Sequence, residues 1–380
     1  MDKRRREPHA PLPADILHEV LLRLPADELC RLRLVCRSWQ SLTSDPIFAM
    51  AHFSRHPLVV GIRDVAAGCR EVQFMDMSGV IVKRIPIMEL DRDSYMSVEP
   101  SLYYYTRSTK KTYVLHPRTG AFTVLPADNA AVHESRNKQL ISLSVLGRIP
   151  STGEYKVLRI HWYFEYNKPE HQTCEVMALG NDGGDGRWTA MASPPVHVAI
   201  GSLDRVVVKG VAYFLLDLDL WYWRAKSDDI VEFDLATEEW RYPMLRGPFT
   251  SHKINAEEED RVCGSFNLAN LNGYLVIIYN YNRRYRRDDY SMDLWFLVDA
   301  DKKLWTKRCS LQLASIARLS RVFIPLVILD DGRLLIWVDG VNELRAYDPR
   351  TKAWINLSRV EKLFDVGMYR GSLLCSGITD

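Results

Sequence analysis

The feature that constrains the fold most is a hairpin pattern that recurs along the chain after residue 57. Each copy reads as a strand, a turn containing Asp or Pro, and a return strand that starts with an aromatic residue. The clear copies are residues 112–125, 230–242, 294–307 and 344–357, and weaker copies are residues 71–85 and 174–191. Short apolar runs separated by Gly, Asp, Asn and Pro predict β-strands. The pattern therefore predicts six hairpins with one plan.

A further strand precedes most of these hairpins. The predicted strands are residues 58–62, 102–106, 155–162, 211–216, 274–279 and 334–338. Repeats of about 45–65 residues that each supply three or four strands are typical of a β-propeller, and six blades are favoured here. The first unit lacks an innermost strand, so we expect residues 371–375 to complete it and close the ring.

Tryptophan placement supports this division of the chain. Trp39 stands alone near the N-terminus, and the other nine tryptophans lie further along the chain. Four of these begin return strands and are expected in the blade cores, and two more are expected within strands. The first group is Trp188, Trp240, Trp305 and Trp354, and the second is Trp295 and Trp337.

The first fifty residues show helical rather than strand periodicity. Apolar residues recur every three or four positions through residues 12–24, and Pro25 ends that helix. A second helical stretch follows and stops at Asp45 and Pro46. A unit this small buries little surface, so we expect it to complete its core against something else. Two readings stay open: a helical cap on the rest of the chain, and a DNA-binding helix-turn-helix that uses Arg31, Arg33 and Arg37.

The same residues resemble an F-box. The matching pattern combines Leu-Pro at 12–13, the apolar positions of the first helix, Val35, Trp39, Leu42 and Phe48. The resemblance implies a three-helix motif that binds the adaptor Skp1 and, through it, a cullin-based ubiquitin ligase. It assigns Skp1 binding to Leu12, Pro13, Ile16, Leu17, Val20, Leu21, Leu24 and Pro25. Val35, Trp39 and Leu42 are expected to hold the motif's own helices together.

Short pieces of the later chain resemble the F-box-associated domain of large plant families. The pieces lie at residues 153–157, 230–238, 273–275, 294–295 and 347–351. One departure is Lys209, where the family usually has Asn. The resemblance implies an α+β multidomain chain: a basic disordered tail at 1–9, an F-box at 10–50, a linker at 51–57 and an all-β propeller at 58–380.

Composition excludes several classes of protein. The 50 Lys and Arg residues against 48 Asp and Glu residues leave a net charge of +2, so no overall field favours nucleic acid or an anionic membrane. Apolar runs are far shorter than the ~20 residues of a membrane span. Seven scattered cysteines without a C-x-x-C pair are typical of reduced thiols, so we expect a cytoplasmic or nuclear protein.

Three predicted loops suggest where the propeller binds its substrate. Each follows the second strand of a unit and is rich in Trp, Tyr or Arg, the residue types enriched at protein-binding hot spots. The candidates are Trp162, Tyr163, Trp221, Trp223, Tyr281, Arg283, Tyr285 and Arg286. Structural packing of these rings over sheet edges is the competing reading. The Arg-rich loop would also suit single-stranded nucleic acid, but an acidic or phosphorylated protein segment is favoured.

No catalytic, cofactor or metal motif is recognisable. The chain has no P-loop, G-x-G-x-x-G helix entry, H-E-x-x-H or G-x-S-x-G sequence. His52 and His56 have helical spacing but no third metal ligand, and the glycine-rich loop 181–186 lacks the donors of a calcium loop. We therefore expect a non-catalytic substrate receptor without cofactor or metal. A propeller enzyme, or a carbohydrate- or nucleic-acid-binding module with a non-functional F-box, remains an alternative.

Overall fold

A computed structural model describes most of the chain. The described residues are 13–66, 69–87, 95–98, 102–105, 112–117, 120–126, 138–165, 171–179, 186–199, 201, 203–217, 227–251, 262–283, 290–313 and 322–369. The predicted tail at 1–9 lies outside them. Among these residues, no helix combines the length and hydropathy that crossing a bilayer requires.

Four short helices form the N-terminal unit. They are α1 (Ala14–Leu21), α2 (Ala26–Leu32), α3 (Arg37–Ser44) and α4 (Pro46–Arg55). The second predicted helical stretch is thus two helices. Asp45 and Pro46 do not end the unit, because the Asp45 carboxylate accepts a hydrogen bond from the Ile47 amide at 2.7 Å and starts α4. Most of the predicted linker at 51–57 is therefore helical, and the motif has four helices rather than three.

The core of this unit is small. Its fully buried side chains are Leu21, Leu22, Leu29 and Phe48, and partly buried residues including Trp39 and Leu42 pack around them. Trp39 and Leu42 therefore hold the helices together, as predicted. Val35 does not, because it lies between α2 and α3 with 61% of its surface exposed. The unit folds around few residues and leaves other aliphatic side chains outside.

The rest of the described chain is β-structure apart from one short helix, α5 (Pro248–Ser251), and a 3-10 turn at Asp339–Val341. The first twelve strands are β1 (Leu58–Ala66), β2 (Cys69–Met75), β3 (Ile81–Ile87), β4 (Tyr95–Val98), β5 (Leu102–Tyr105), β6 (Thr112–His116), β7 (Ala121–Val124), β8 (Lys138–Arg148), β9 (Tyr155–Glu165), β10 (His171–Leu179), β11 (Thr189–Met191) and β12 (Arg205–Val208).

The second half of the strands follows the same plan. They are β13 (Val211–Leu215), β14 (Ile230–Asp234), β15 (Glu239–Leu245), β16 (Val262–Leu271), β17 (Tyr274–Arg283), β18 (Tyr290–Asp299), β19 (Leu304–Gln312), β20 (Phe323–Ile328), β21 (Leu334–Val338), β22 (Glu343–Asp348), β23 (Ala353–Arg359) and β24 (Phe364–Tyr369). All strand pairings among the described residues are antiparallel, and each hairpin predicted from the sequence is present.

These strands form six four-stranded sheets. Sheet I is β24-β1-β2-β3, and sheets II to VI are β4–β7, β8–β11, β12–β15, β16–β19 and β20–β23, each in chain order. The first strands of neighbouring sheets contact one another, as β8 contacts β12, β12 contacts β16 and β16 contacts β20. Each of the six junctions between sheets holds its own apolar cluster, including the junction between sheets VI and I. The sheets thus follow one another around a ring, which is the architecture of a β-propeller.

A C-terminal strand closes the ring, although not the segment expected. Strand β24 pairs with β1, with Val59 opposite Met368 and Leu58 opposite Tyr369. Tyr369 is buried against Phe74 with ring centroids 5.0 Å apart. The predicted segment, residues 371–375, lies outside the described residues. Closure is therefore made by residues 364–369, which removes the open edge that the first sheet would otherwise present.

Local turn chemistry explains the repeated hairpin. Asp234, Asp299 and Asp348 end the third strands of their sheets, and each carboxylate accepts a hydrogen bond from a backbone amide two or three residues later. The residue before each return strand has a positive φ, as at Glu238 with 60° and Lys303 with 52°. An Asx turn followed by a left-handed residue reverses the chain within four residues. This combination is the motif visible in the sequence.

Tryptophans at the return strands join neighbouring sheets. In three consecutive cases the indole nitrogen donates to a backbone carbonyl just beyond the last strand of the preceding sheet. These bonds are Trp188 to Pro126 (3.0 Å), Trp240 to Ala192 (2.8 Å) and Trp305 to Arg246 (2.9 Å). Trp354 packs against Tyr347 at 4.9 Å without such a bond among the described residues. Trp188 and Trp305 are buried, and Trp240 and Trp354 are half-buried against the apolar clusters, so the prediction that the four contribute to the blade cores is confirmed. The three hydrogen bonds also join a sheet to the one before it.

Candidate functional site

The N-terminal unit exposes an aliphatic surface on helix α1. Ile16 is 51% exposed and Val20 is 46% exposed, and their spacing of four places them on the same side of the helix. Pro13 precedes them and is also exposed, as is Pro25 after the helix. Because folding leaves these aliphatic side chains exposed to water, this surface is suited to a partner protein that buries them.

The other predicted Skp1-binding residues are placed differently. Leu21 has no exposed surface and lies in the core of the unit, so the prediction that it faces a partner is wrong. Leu17 and Leu24 are half-buried and pack against the same core. Leu12 lies outside the described residues. The apolar stripe seen in the sequence is therefore two surfaces, one turned inward and one outward.

Three exposed aliphatic residues were missed by the sequence reasoning. Leu34 is 74% exposed, Val35 is 61% exposed and Ile47 is 76% exposed. A pair of adjacent aliphatic residues at the end of a helix was an available signal, because a short helix rarely buries both. These residues add exposed aliphatic side chains to the unit outside α1. We refer to Pro13, Ile16, Val20, Leu34, Val35 and Ile47 together as the helical apolar surface.

Helix α4 fastens the exposed helix α1 in place. The Nε2 atoms of His52 and His56 lie 2.8 Å and 3.1 Å from the Leu24 and Leu22 carbonyl oxygens, just beyond α1. The two rings are stacked with centroids 4.6 Å apart. Burial lowers the pKa of His52, an effect only partly offset by its bond to the Leu24 carbonyl. Both histidines therefore have a structural role, which is to hold α4 against the end of α1.

The partners of the other charged side chains bear on the alternative that this unit binds DNA. The Arg55 guanidinium pairs with the Glu19 carboxylate at 3.1 Å, which lowers the pKa of Glu19. Arg33 is only 8% exposed and donates to the Ser44 hydroxyl, so it is not available to contact DNA. Arg31 is exposed but already paired with Glu28 at 3.2 Å. The helix-turn-helix reading therefore loses Arg33, and the Glu28 carboxylate partly offsets the charge of Arg31.

The predicted substrate-binding aromatic residues of sheet III are not in a loop. Trp162 and Tyr163 belong to strand β9 and are 1% and 7% exposed. Strand β9 pairs along this stretch with β8 on one side and with β10 on the other. Tyr163 stacks on His171 with ring centroids 4.8 Å apart. The prediction that Trp162 and Tyr163 form a binding surface is wrong, because pairing on both edges continues the strand and buries them.

The candidates in sheet V occupy the end of a strand. Tyr281 is half-buried in β17 and stacks on Tyr279 at 5.0 Å, which in turn stacks on Phe266 at 4.9 Å. Gly264 makes room for this ladder, since a Cβ there would lie 2.5 Å from the Tyr279 ring. Arg283 ends the same strand. Trp221, Trp223, Tyr285 and Arg286 lie outside the described residues, so their contribution to a site stays a prediction.

A buried carboxylate organises the same end of sheets IV and V. Asp228 accepts hydrogen bonds from the backbone amides of Phe249 (2.5 Å) and Thr250 (3.1 Å) at helix α5. Burial nevertheless raises the pKa of Asp228. Phe249 then packs between Tyr279, at 4.7 Å, and Trp295, at 5.4 Å. We call the packed rings of Phe249, Tyr279 and Trp295 the aromatic base. It lies near the strand ends that lead into the predicted binding loops.

The described residues contain one chain of serine, histidine and acid. The Ser142 hydroxyl lies 2.8 Å from His161 Nδ1, and His161 Nε2 lies 3.0 Å from a Glu175 oxygen. All three side chains are buried between sheets II and III, and Glu175 is also paired with Arg159 at 3.3 Å. Arg159 continues to Thr112 of sheet II and stacks on Trp188 at 3.8 Å. This network links two sheets, and the Ser142 hydroxyl at its end is buried and hydrogen-bonded to His161.

The comparisons with known proteins agree with this architecture. A family model described as F-box domain matches residues 11–49, and one described as F-box associated beta propeller domain matches residues 84–339. In Arabidopsis thaliana, F-box protein At3g22700 is 25% identical over 248 residues, covering 60% of this chain and 68% of the relative. Putative F-box protein At1g47765 of the same plant is 22% identical over 312 residues, covering 78% and 70%.

Similarity to solved structures is weak. A virginiamycin B lyase from Staphylococcus aureus has a TM-score of 0.38 and 9% identity, covering 81% of this chain and 85% of that chain. A likeness of this size carries no argument about function. Among the residues with described side chains, no group of three His, Cys, Asp or Glu residues is arranged to hold a metal ion.

Proposed function

This chain belongs to the F-box proteins that carry an F-box associated β-propeller domain, and from that premise we propose that it is the substrate-recognition subunit of a Skp1–cullin–F-box ubiquitin ligase. In this role the helical unit binds a Skp1-type adaptor, and the ring of sheets binds the protein to be ubiquitinated. The observation that carries the proposal is the helical apolar surface, with Ile16 and Val20 about half exposed on one side of α1.

Covering this surface supplies the affinity for the adaptor. Each aliphatic side chain that leaves water on binding contributes about 1–2 kcal/mol, so the exposed set is sufficient for a specific complex. The contacts of α4 hold α1 in position beforehand, through His52, His56 and the pair of Arg55 with Glu19. Pre-positioning of this kind reduces the conformational entropy lost on binding.

The contribution of the ring is rigid presentation rather than chemistry. A substrate held on it is brought near the ubiquitin-charged enzyme of the assembly, so catalysis arises from proximity and no side chain of this chain reacts. We propose that all six sheets are blades of the propeller. We also propose that the receptor acts in the cytoplasm or nucleus. The buried chain of Ser142, His161 and Glu175 gives no support to an enzyme, because its groups are occupied in joining two sheets.

For the substrate we propose the end of the ring at sheets IV and V. Tyr281 and Arg283 close strand β17 there, above the aromatic base. The predicted loop residues Trp221, Trp223, Tyr285 and Arg286 follow these strands in the chain. Strands β13, β15 and β17 all end on this side of their sheets, whereas the aromatic candidates of sheet III are buried, and both observations favour this end.

The test is capture of the adaptor by the full chain. We expect the native chain to co-purify Skp1 and cullin, and we expect the double variant Ile16→Asp with Val20→Asp to lose at least tenfold in Skp1 affinity. The matched control is Val80→Asp, which charges a 61% exposed aliphatic residue in the turn between β2 and β3 and should leave capture unchanged. Absence of Skp1 from the native sample, or equal capture by the double variant, would contradict the proposal.

A further inference from the structure

The turns between the first and second strands of sheets IV and V have the same backbone conformation, but they carry different side chains that make different contacts. Lys209 and Asn272 are each the first of two residues between the first and second strands, in sheets IV and V, and both have a positive φ, 51° and 53°. The Asn272 side chain bonds both polar backbone groups of Ile328 in sheet VI, at 2.8 Å and 2.9 Å. Lys209 makes no such bond to sheet V. Its ammonium instead lies 5.7 Å from the centre of the Tyr274 ring.

A second cation reaches the same ring from a distorted strand. Leu294 pairs with Cys309 and Trp295 pairs with Lys307, so Arg308 between them is the extra residue of a β-bulge. A bulge redirects the side chain that it carries. The Arg308 guanidinium lies 5.1 Å from the centre of Tyr274 and 4.9 Å from the centre of Phe296. Tyr274 itself is 40% exposed.

The two cations beside Tyr274 differ from two nearby lysines, because those lysines have carboxylate partners. Lys302 is paired with Asp299 at 3.5 Å, and Lys307 is paired with Asp293 at 3.3 Å. Within the described parts of the chain, neither Lys209 nor Arg308 has a carboxylate within ion-pair distance, and both are exposed. Two uncompensated cations beside one exposed phenol leave a local positive field open to an anion.

We propose that Lys209, Tyr274 and Arg308 form a binding site for a phosphate group carried on a protein partner. Arginine offers a fork that matches two phosphate oxygens, lysine offers a mobile point charge, and the tyrosine hydroxyl can donate a hydrogen bond. Tyr274 starts β17 and Tyr281 lies near its end, so the site is about 23 Å from the proposed substrate end at the usual rise per strand residue. None of these residues lies in α1–α4, so the site stands whether or not the chain binds Skp1.

The opposing view is that the two cations only cover the tyrosine ring. The two views predict opposite behaviour for Lys209→Asn. Asparagine adopts a positive φ more readily than lysine, and at Asn272 it joins neighbouring sheets by two hydrogen bonds. If Lys209 is retained for binding, this variant should be more stable but should bind phosphate less well, a trade-off common at functional sites. If Lys209 only covers the ring, stability should fall and anion binding should be absent throughout.

The experiment is a ³¹P NMR titration with the full chain. The probes are acetyl-Gly-phosphoserine-Gly-amide and inorganic phosphate. We expect saturable line broadening of the peptide signal with the native chain. Loss of one nearby unit charge should weaken this binding about fivefold in Lys209→Asn and in Arg308→Gln, and the double variant should not bind detectably. Lys302→Gln is the matched control, because it removes an exposed lysine of the same sheet that already has an acidic partner.

Melting temperatures of the same samples complete the test. A rise of about 1–3 °C for Lys209→Asn together with weaker peptide binding would support the site. Absence of saturable broadening with the native chain, or equal binding by the double variant, would overturn it. A lowered melting temperature for Lys209→Asn with unchanged binding would do the same. Inorganic phosphate binding as tightly as the peptide would overturn the assignment to a protein partner.

Discussion

The helical unit and the ring of sheets solve the same problem in opposite ways. The ring covers its own edges, because β24 pairs with β1 and each junction between sheets contains an apolar cluster. The helical unit leaves Ile16, Val20 and Leu34 in water around a core of four fully buried side chains. The ring therefore closes within the single chain, whereas the helical unit leaves aliphatic side chains exposed, which agrees with the proposed role of that unit in binding an adaptor. This division of labour is what a receptor that links a substrate to a larger assembly requires.

The largest effect should come from removing the closing strand. Deletion of residues 364–380 takes away the partner of β1 together with Val366, Met368 and Tyr369, which are buried at the two junctions of sheet I. We expect a loss of more than about 5 kcal/mol and no cooperative melting of the ring. Circular dichroism during heating measures this loss.

The matched control deletes only residues 370–380, beyond β24. If the strand at residues 364–369 is sufficient for closure, this shorter deletion should melt like the full chain. Native-like melting of the longer deletion would contradict the role of β24. Unfolding of both proteins would instead return closure to the segment at residues 371–375 that the sequence suggested.

An intermediate effect is expected where tryptophan joins two sheets. Trp305→Phe keeps a buried ring but removes the hydrogen bond to the Arg246 carbonyl, leaving that acceptor without its partner. We expect a loss of about 1–2 kcal/mol in the free energy of unfolding, measured by urea denaturation. Trp354→Phe is the control, because the Trp354 indole makes no such bond among the described residues, and it should cost less than about 0.5 kcal/mol. Equal losses would show that ring size, rather than the hydrogen bond, decides stability here.

Much of the ring could be predicted because each hairpin is specified by residues that are close together in the sequence. The turns at Asp234, Asp299 and Asp348 need a carboxylate at one position and a left-handed residue shortly after it, so the hairpins are visible without any tertiary information. The strand ahead of each hairpin follows from apolar patterning. The hairpins and the placement of Trp188, Trp240, Trp305 and Trp354 at the return strands therefore agree with the sequence analysis.

The errors arose where long-range pairing decides the outcome. Trp162 and Tyr163 resembled an aromatic loop, but pairing with both β8 and β10 keeps them in a strand. The closing strand contains Asp365, whose φ is 49°, and Gly367, which interrupt the apolar alternation that marks other strands. On α1, helical periodicity identified an apolar stripe without separating buried Leu21 from exposed Ile16. That separation depends on α4, which the sequence analysis had treated partly as a linker.

The smallest expected effect concerns the stability of the helical unit against pH. Burial lowers the folded-state pKa of His52 below its unfolded value near 6.5. Between these two values the unfolded state binds more protons, so the stability contributed by neutral His52 is fully present above about pH 6.5 and is lost as the pH falls toward the folded pKa. The charged or titratable groups on the helices packed against it are His18, Glu19, Arg55 and His56. The three basic groups oppose protonation of His52 by repulsion when they carry a charge, as His56 does, and only the Glu19 carboxylate favours it. Helix α4 should therefore loosen as the pH falls below about 6.5, while the ring stays closed.

Hydrogen exchange of the full chain between pH 7.5 and 5 tests this difference, after correction for the intrinsic exchange rate. Amides of residues 47–56 should lose protection as the pH falls, and those of β17 should not. His52→Gln removes the titrating group while keeping an amide donor for the Leu24 carbonyl, so its α4 protection should vary less with pH. A slope unchanged by this substitution would assign the effect to His56 or to the pair of Glu19 with Arg55. Parallel loss of protection in β17 would mean that the two regions do not respond separately, which would remove the basis for treating the ring as complete without the helical unit.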